Sequence, residues 1–172
     1  MYIVTEMLQS GAYMLKCEQA GTIGNHYDGN MINIDAGNNA PSAELIEQVQ
    51  TLIDPIENSG EDLGIAPIGH SVIVEAANAV DITITTHLTL KGSSWENLSS
   101  RVNQVIEEYF SDLRANWSES DIVVRISQIE ARLLDIEGII DIEDTKLNGS
   151  ARNLYLSGEE VPVLVGVVNL WD

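Results

Sequence analysis

The chain has 172 residues, 44% of them hydrophobic, enough for one domain, or one domain and part of a second, with a sizeable core. Its formal net charge is −19, with 27 acidic residues against 8 basic ones, so phosphate backbones and anionic lipid are repelled, and nucleic-acid and membrane-surface roles drop out. Cys17 is the lone cysteine, Met1 to Leu15 lack the pattern of a signal peptide, and no run reaches the ~18 apolar residues that span a bilayer, which points to a soluble product of a reducing cytoplasm.

The first stretch, Tyr2 to Asp35, consists of short apolar pieces broken by turn residues. Ala12 to Cys17 reads as a strand, Gly21 to Asn25 as a loop, Asp28-Gly29-Asn30 as a turn and Met31 to Ile34 as a short strand. These residues are too few to bury a core of their own and read as the end of a preceding domain. A helix follows, with Pro41 near its first turn, Leu45, Val49, Leu52 and Ile53 on one face, and Asp54-Pro55 as its stop. Asn58 to Asp62 is a polar loop.

Two strands come next, Ser71 to Glu75 and Asp81 to Leu90. In the second, Ile82, Ile84, Leu88 and Leu90 alternate with Thr83, Thr85, His87 and Thr89, so one face is buried. Ser93 and Glu96 have capping-box spacing and open a long helix with the stripe Leu98, Val102, Val105, Tyr109 and Leu113, widened by Ile106 and Phe110. Ser118 to Asp121 cap a second helix carrying Ile122, Ile126, Ile129, Leu133 and Ile136, with Gly138 as its stop. Both stripes read as uninterrupted by an inward polar residue.

After Gly138 the period returns to two, with Ile140 and Ile142 alternating with Asp141 and Glu143. Asn148-Gly149 is a turn signal, and Asn153 to Leu156 a short return strand. The run from Val161 to Trp171 is apolar on both faces, as in a strand covered on both sides. The expected fold is α+β, a two-layer sandwich of two helices on a mostly antiparallel sheet. The expected division is residues 1–38 as the end of a mostly β domain, 39–64 as a linking helix and loop, and 65–172 as the sandwich.

Three sequence words carry a resemblance: Cys17 to Asn25 (CEQAGTIGN), Gly64 to Val72 (GIAPIGHSV), and Leu147-Asn148-Gly149 followed by Glu160 to Leu164 (EVPVL). In this order they resemble the C-terminal half of the Baseplate J-like family, in particular the XkdT-type proteins of Gram-positive phages and prophages. His70 departs from the pattern, which has a small residue there, often Ala. The resemblance implies a wedge subunit of a contractile tail baseplate, assembled in the host bacterial cytoplasm and joined to itself and to neighbouring baseplate proteins. It implies a family with a further N-terminal portion, no catalytic residues and no cofactor.

The chemistry-bearing residues read as structural. Gly21, Gly24 and Asn25 lack the Lys-Ser/Thr of a phosphate loop and, like Pro67, Gly69, Asn148 and Gly149, serve turns. His26, His70 and His87 have no ligand spacing between them, and Cys17 has Glu18 beside it, which disfavours a thiolate. No catalytic, metal or small-molecule site emerges. Candidate subunit contacts are Trp95, Trp117 and Trp171, at a helix start, an inter-helix loop and the chain end, together with Val163, Val165 and Val167 of the last strand. The alternative function for such a fold is a small-ligand sensor domain, which needs a polar-lined pocket between sheet and helices. A hydrolase has no supporting constellation.

Overall fold

The computed structural model describes residues 13–19, 42–61, 63–66, 68–115, 122–158 and 160–170. The chain forms two compact units, residues 1–78 and 79–172.

In the first unit, strand β1 (Tyr13–Gln19) pairs antiparallel with β2 (His70–Ala76), from Tyr13 opposite Ala76 to Gln19 opposite His70. Helix α1 (Ala43–Ile53) packs on β2. Ser42 caps it, accepting the Leu45 N–H at 3.2 Å, and Asp54 leaves the helix in extended backbone before Pro55. The core is Val49 and Ile53 of α1 against Ala66, Val72 and Val74. A short 3-10 turn (Ile56–Asn58) follows, and the chain then doubles back on the helix end. The Ile65 and Ala66 N–H groups donate to the Leu52 and Ile53 carbonyls, filling acceptors that a helix end leaves open. Gly64 is required there, because a Cβ would stand 2.3 Å from the Ile53 oxygen. The strand expected at Ser71–Glu75 forms, but it pairs with β1 and packs on α1, so it belongs with the first unit and not with the C-terminal sandwich. The loop, turn and strand expected between Gly21 and Ile34 lie outside the described residues, as does Pro41.

In the second unit a three-stranded sheet has the order β5-β3-β7, with β3 (Asn78–Leu90) central, β5 (Ile139–Leu147) antiparallel to it, and β7 (Glu160–Asn169) on the other side. Helix α2 (Trp95–Ala115) packs on β7, α3 (Ile126–Leu134) packs on β5, and the helices touch each other. The α+β sandwich that the sequence implies is therefore present. Ile82, Ile84 and Leu88 of β3 are fully buried with Val102, Ile106, Tyr109 and Phe110 of α2 and Ile129 and Leu133 of α3. Thr86 shares their face and is buried too. Its hydroxyl meets that of Thr145 on β5 at 2.9 Å, which removes the cost of an unpaired polar group.

Local details differ from the expectation where the period breaks. The first carbonyl of α2 to accept helical bonds is that of Ser94, not Ser93, so Glu96 misses the capping-box position. The second helix starts at Ile126. Ile122 is buried in extended chain ahead of β4 (Val123–Val124), which pairs with β6 (Leu154–Tyr155). Residues Ser118 to Asp121 lie outside the description. Four residues past the end of α3, Gly138 turns the chain with φ +101°, and its carbonyl accepts the Lys91 N–H.

On β5 the simple alternation fails, because two register shifts insert extra residues opposite Thr85–His87 and Thr89–Leu90. One leaves Ile140 exposed, and the other holds Asp144 at φ 54° and turns Thr145 inward. The expected Asn148-Gly149 turn has φ 47° and 79°, the two left-handed residues of a two-residue hairpin turn, closed by Leu147 and Ser150.

The bulge assignment predicts unequal costs for two aliphatics of similar size. Leu88→Ala should lower the unfolding free energy by about 2–5 kcal/mol, whereas Ile140→Ala should change it by no more than about 0.5 kcal/mol, as read from urea midpoints. Equal losses would contradict the shifted register.

Candidate interaction surface

Strand β2 uses one edge to pair with β1, and the donors and acceptors on its other edge need partners. Two side chains of the α1 end supply them. Gln50 Nε2 donates to the Val72 carbonyl at 2.8 Å, and its Oε1 accepts the Val74 N–H at 2.8 Å. The Asp54 carboxylate accepts the Val72 N–H at 2.8 Å, the Gly60 N–H at 3.0 Å and the Ser59 hydroxyl. Burial alone would push the Asp54 carboxyl up. The donors from Ser59, Val72 and Gly60 outweigh it and hold the pKa below the ordinary aspartate value. One carboxylate thus joins the helix end, the following loop and the strand.

Strand β7 lies at the sheet edge, and α2 closes part of that edge. Asn103 Oδ1 accepts the Val167 N–H at 3.1 Å while its Nδ2 donates to the Ser99 carbonyl. Arg114 Nη1 donates to the Pro162 carbonyl at 2.9 Å, and Nη2 pairs with Glu107 at 2.6 Å. Pro162 has no N–H to offer a further strand. A buried Arg114 corrects the expectation of a purely apolar helix stripe. Elsewhere Asn148 Oδ1 accepts the Thr83 N–H and its Nδ2 donates to the Asp81 carbonyl, and Asn169 Oδ1 accepts the Leu88 N–H. Tyr109 accepts the Arg125 N–H through its hydroxyl, lies under Arg132 at 4.5 Å, and has its pKa raised, mainly by burial.

Of the residues singled out in the sequence, Gly21, Gly24, Asn25, His26, Pro67, Trp117 and Trp171 lie outside the described residues. Gly69 turns into β2 with φ +81°. Trp95 is the half-buried first residue of α2. On β7, Val163 is half-buried, Val167 is buried and Val165 is 63% exposed. With Val168 and Leu170 also exposed, the strand is not covered on both sides, contrary to its composition. Cys17 is on β1 and His70 opens β2. His87 lies opposite Glu143, with Nδ1 3.9 Å from Oε2.

Among the described residues, no group of three or more His, Cys, Asp or Glu could hold a metal, and no helix is long and apolar enough to cross a membrane. An open groove of about 460 Å³ runs between α2 and α3, with Leu98, Val105 and Ile136 at its base and charged residues on its walls.

Sequence reasoning missed two features. Gln50 sits on the line Ile46, Val49, Gln50, Ile53, and a polar residue inside that stripe was the available signal. The other is a set of exposed aliphatics, Ile56, Leu63, Ile65 and Ile68, which flank the polar loop read at Asn58 to Asp62 and were given no role of their own.

Residues 80–170, nearly the whole second unit, match the model of the Baseplate J-like protein C-terminal domain. The chain belongs to the Baseplate J-like family. It is similar to the uncharacterized protein YqbT of Bacillus subtilis strain 168, 36% identical over 126 residues, which is 73% of this chain and 34% of that protein. It is also similar to the phage-like element PBSX protein XkdT of the same strain, 31% identical over 121 residues, 70% of this chain and 33% of that protein. The chain thus matches only about a third of the length of these relatives.

Two predictions follow from the edge-closing side chains. An unfolded aspartate titrates at ~3.9 and folded Asp54 lower, so its stabilisation is complete above about pH 5, declines as pH falls past the unfolded value, and is gone below the folded one. Asp54→Asn should remove that stabilisation at neutral pH and flatten the acid slope, seen as amide exchange at Val72 and Val74; a slope matching the native chain would remove Asp54 from this role. Asn103→Ala should cost about 1 kcal/mol, by unmaking the bond to Val167. It should also raise strand-type aggregation in thioflavin assays at neutral pH, and an unchanged assay would show that the β7 edge is closed by other means.

Proposed function

We propose that the chain is a structural part of a contractile-tail baseplate wedge, of a phage, a prophage or a tailocin, acting by self-association and by contacts with neighbouring baseplate proteins. The observation that carries the proposal is the family match over residues 80–170, supported by the similarity to a protein named for a phage-like element. In this reading the chain turns over no substrate, uses no cofactor, and is located at the tail baseplate after assembly in the host cytoplasm. The physical features favour work done through surfaces. Edge groups are engaged by the chain's own side chains, and the −19 charge disfavours nucleic acid and anionic membrane as partners.

Immunogold labelling of tails from the parent particle should place this chain at the distal end of the sheath. Deleting its gene should yield tails that lack baseplates. Label spread along the sheath, or intact infectious tails after deletion, would reject the proposal. The self-association part has a separate readout. Light scattering at tens of micromolar should give a mass above one chain that grows between about 50 and 500 mM salt, as repulsion is screened. A constant single-chain mass would reject that part alone.

A further inference from the structure

We propose that the exposed aliphatics Ile56, Leu63, Ile65 and Ile68 form a docking surface for a protein segment that is apolar at its centre and basic at its rim. The inference goes beyond the baseplate reading and rests only on this chain's residues, so either can fail without the other.

Single exposed aliphatics are ordinary, but a group of them in one short loop is not. Ile56 is 79% exposed, Leu63 66%, Ile65 51% and Ile68 72%. Loose chain does not account for them, because the loop backbone is tied at several points. Asp54, itself buried, holds Ser59 and Gly60, and the Gly69 N–H donates to the Gly60 carbonyl. The Ile65 and Ala66 N–H groups are bonded to the end of α1. Ile56, in the 3-10 turn, and Ile65, bonded to the helix end, are therefore presented on ordered backbone, which lowers the entropy cost of binding.

Charge selects the occupant. Between Cys17 and Leu90 the sequence has no Lys or Arg, and the loop itself carries Glu57 and Glu61, with Glu44 and Glu47 exposed on α1. Residues 1–78 hold eleven acidic side chains against Lys16 alone. A second copy would bring the same acids to the contact and is disfavoured by like-charge repulsion. A segment with aliphatic or aromatic residues flanked by Lys or Arg would bury the isoleucines and neutralise the rim together.

The test is methyl NMR on the isotope-labelled chain with a synthetic helical peptide of Leu and Lys, and a Leu and Glu twin as control. The Leu/Lys peptide should shift the methyls of Ile56, Leu63, Ile65 and Ile68. Its affinity should fall with salt, and by at least about tenfold in the Ile65→Ser/Ile68→Ser variant. Ile140→Ser, an equally exposed aliphatic of the second unit, should leave binding unchanged. Amide exchange at Val72 and Val74 checks that the double variant keeps its fold; if it does not, the methyl shifts in the native chain still decide. Shifts centred on the groove between α2 and α3, equal binding of the Leu/Glu peptide, or unchanged affinity in a folded double variant would each overturn the proposal. So would concentration-dependent dimers that the double variant abolishes, since the occupant would then be a second copy.

Discussion

A strand edge in a folded protein must find a partner for its N–H and C=O groups, and much of this structure follows from how that demand is met. Small sheets have proportionally more edge than large ones. Among the described residues the sheets have two or three strands. A lone two-stranded ribbon is marginal in water, so β1 and β2 need both a packed helix and a closed edge to persist. Gln50 and Asp54 provide the closure and stand on the helix that provides the packing. In the second unit, Asn103 and Arg114 of α2 do the same for β7 while Val102, Val105 and Ile106 of that helix fill the core. Packing and polar satisfaction are thus coupled: a shift of either helix along its strand would unmake hydrogen bonds as well as contacts.

The same coupling bears on how other molecules can be held. Pairing with a further strand is the easiest way for two small β proteins to join, and it is also the route to aggregation. Where side chains occupy the edge donors and acceptors, and where Pro162 lacks a donor, that route is obstructed. On β5 the two register shifts and the exposed acids Asp141, Glu143 and Asp144 bend and charge the opposite edge. What remains for recognition is side-chain surface, such as the aliphatics of the Ile56 to Ile68 loop and the exposed Val165 and Val168 of β7.

Much of the architecture was legible because period and core coincide. The stripe from Leu98 to Phe110 and the alternation from Ile82 to Leu88 each describe a face that is buried in the structure. Asn148-Gly149 was legible for a different reason, since few dipeptides accept two consecutive left-handed residues. The errors fall where one residue serves two periods. Ile122 continues the spacing of Ile126, Ile129 and Leu133, yet its carbonyl accepts the Leu156 N–H and it lies in extended chain. Ile140 continues the alternation of β5 but is the extra residue of a bulge. The Val161–Trp171 run reads as doubly covered because composition reports only that its side chains are apolar, not whether a neighbour exists. The pairing of β2 with β1 was hidden, since no local pattern says which distant strand lies opposite. Gln50 and Asp54 were overlooked because a polar residue beside an apolar stripe looks like its margin; only the free edge of β2 makes it a core position.

Electrostatics adds an ordering to this picture. Two basic residues are engaged by neighbours: Arg114, buried, by Glu107 and the Pro162 carbonyl, and Arg132, partly exposed, by Tyr109 and Asp112. Each offsets one carboxylate locally, and the net charge of −19 is left to the remaining acids. At physiological ionic strength repulsion is screened beyond ~8 Å, so such chains can share a crowded solution without strong long-range effects. It is at contact, where water and ions are squeezed out, that like charges become costly. On the baseplate reading, screening by salt or by a basic neighbour would lower that cost and tighten a contact between copies, so the strength of such a contact would follow how well the acids at its rim are neutralised.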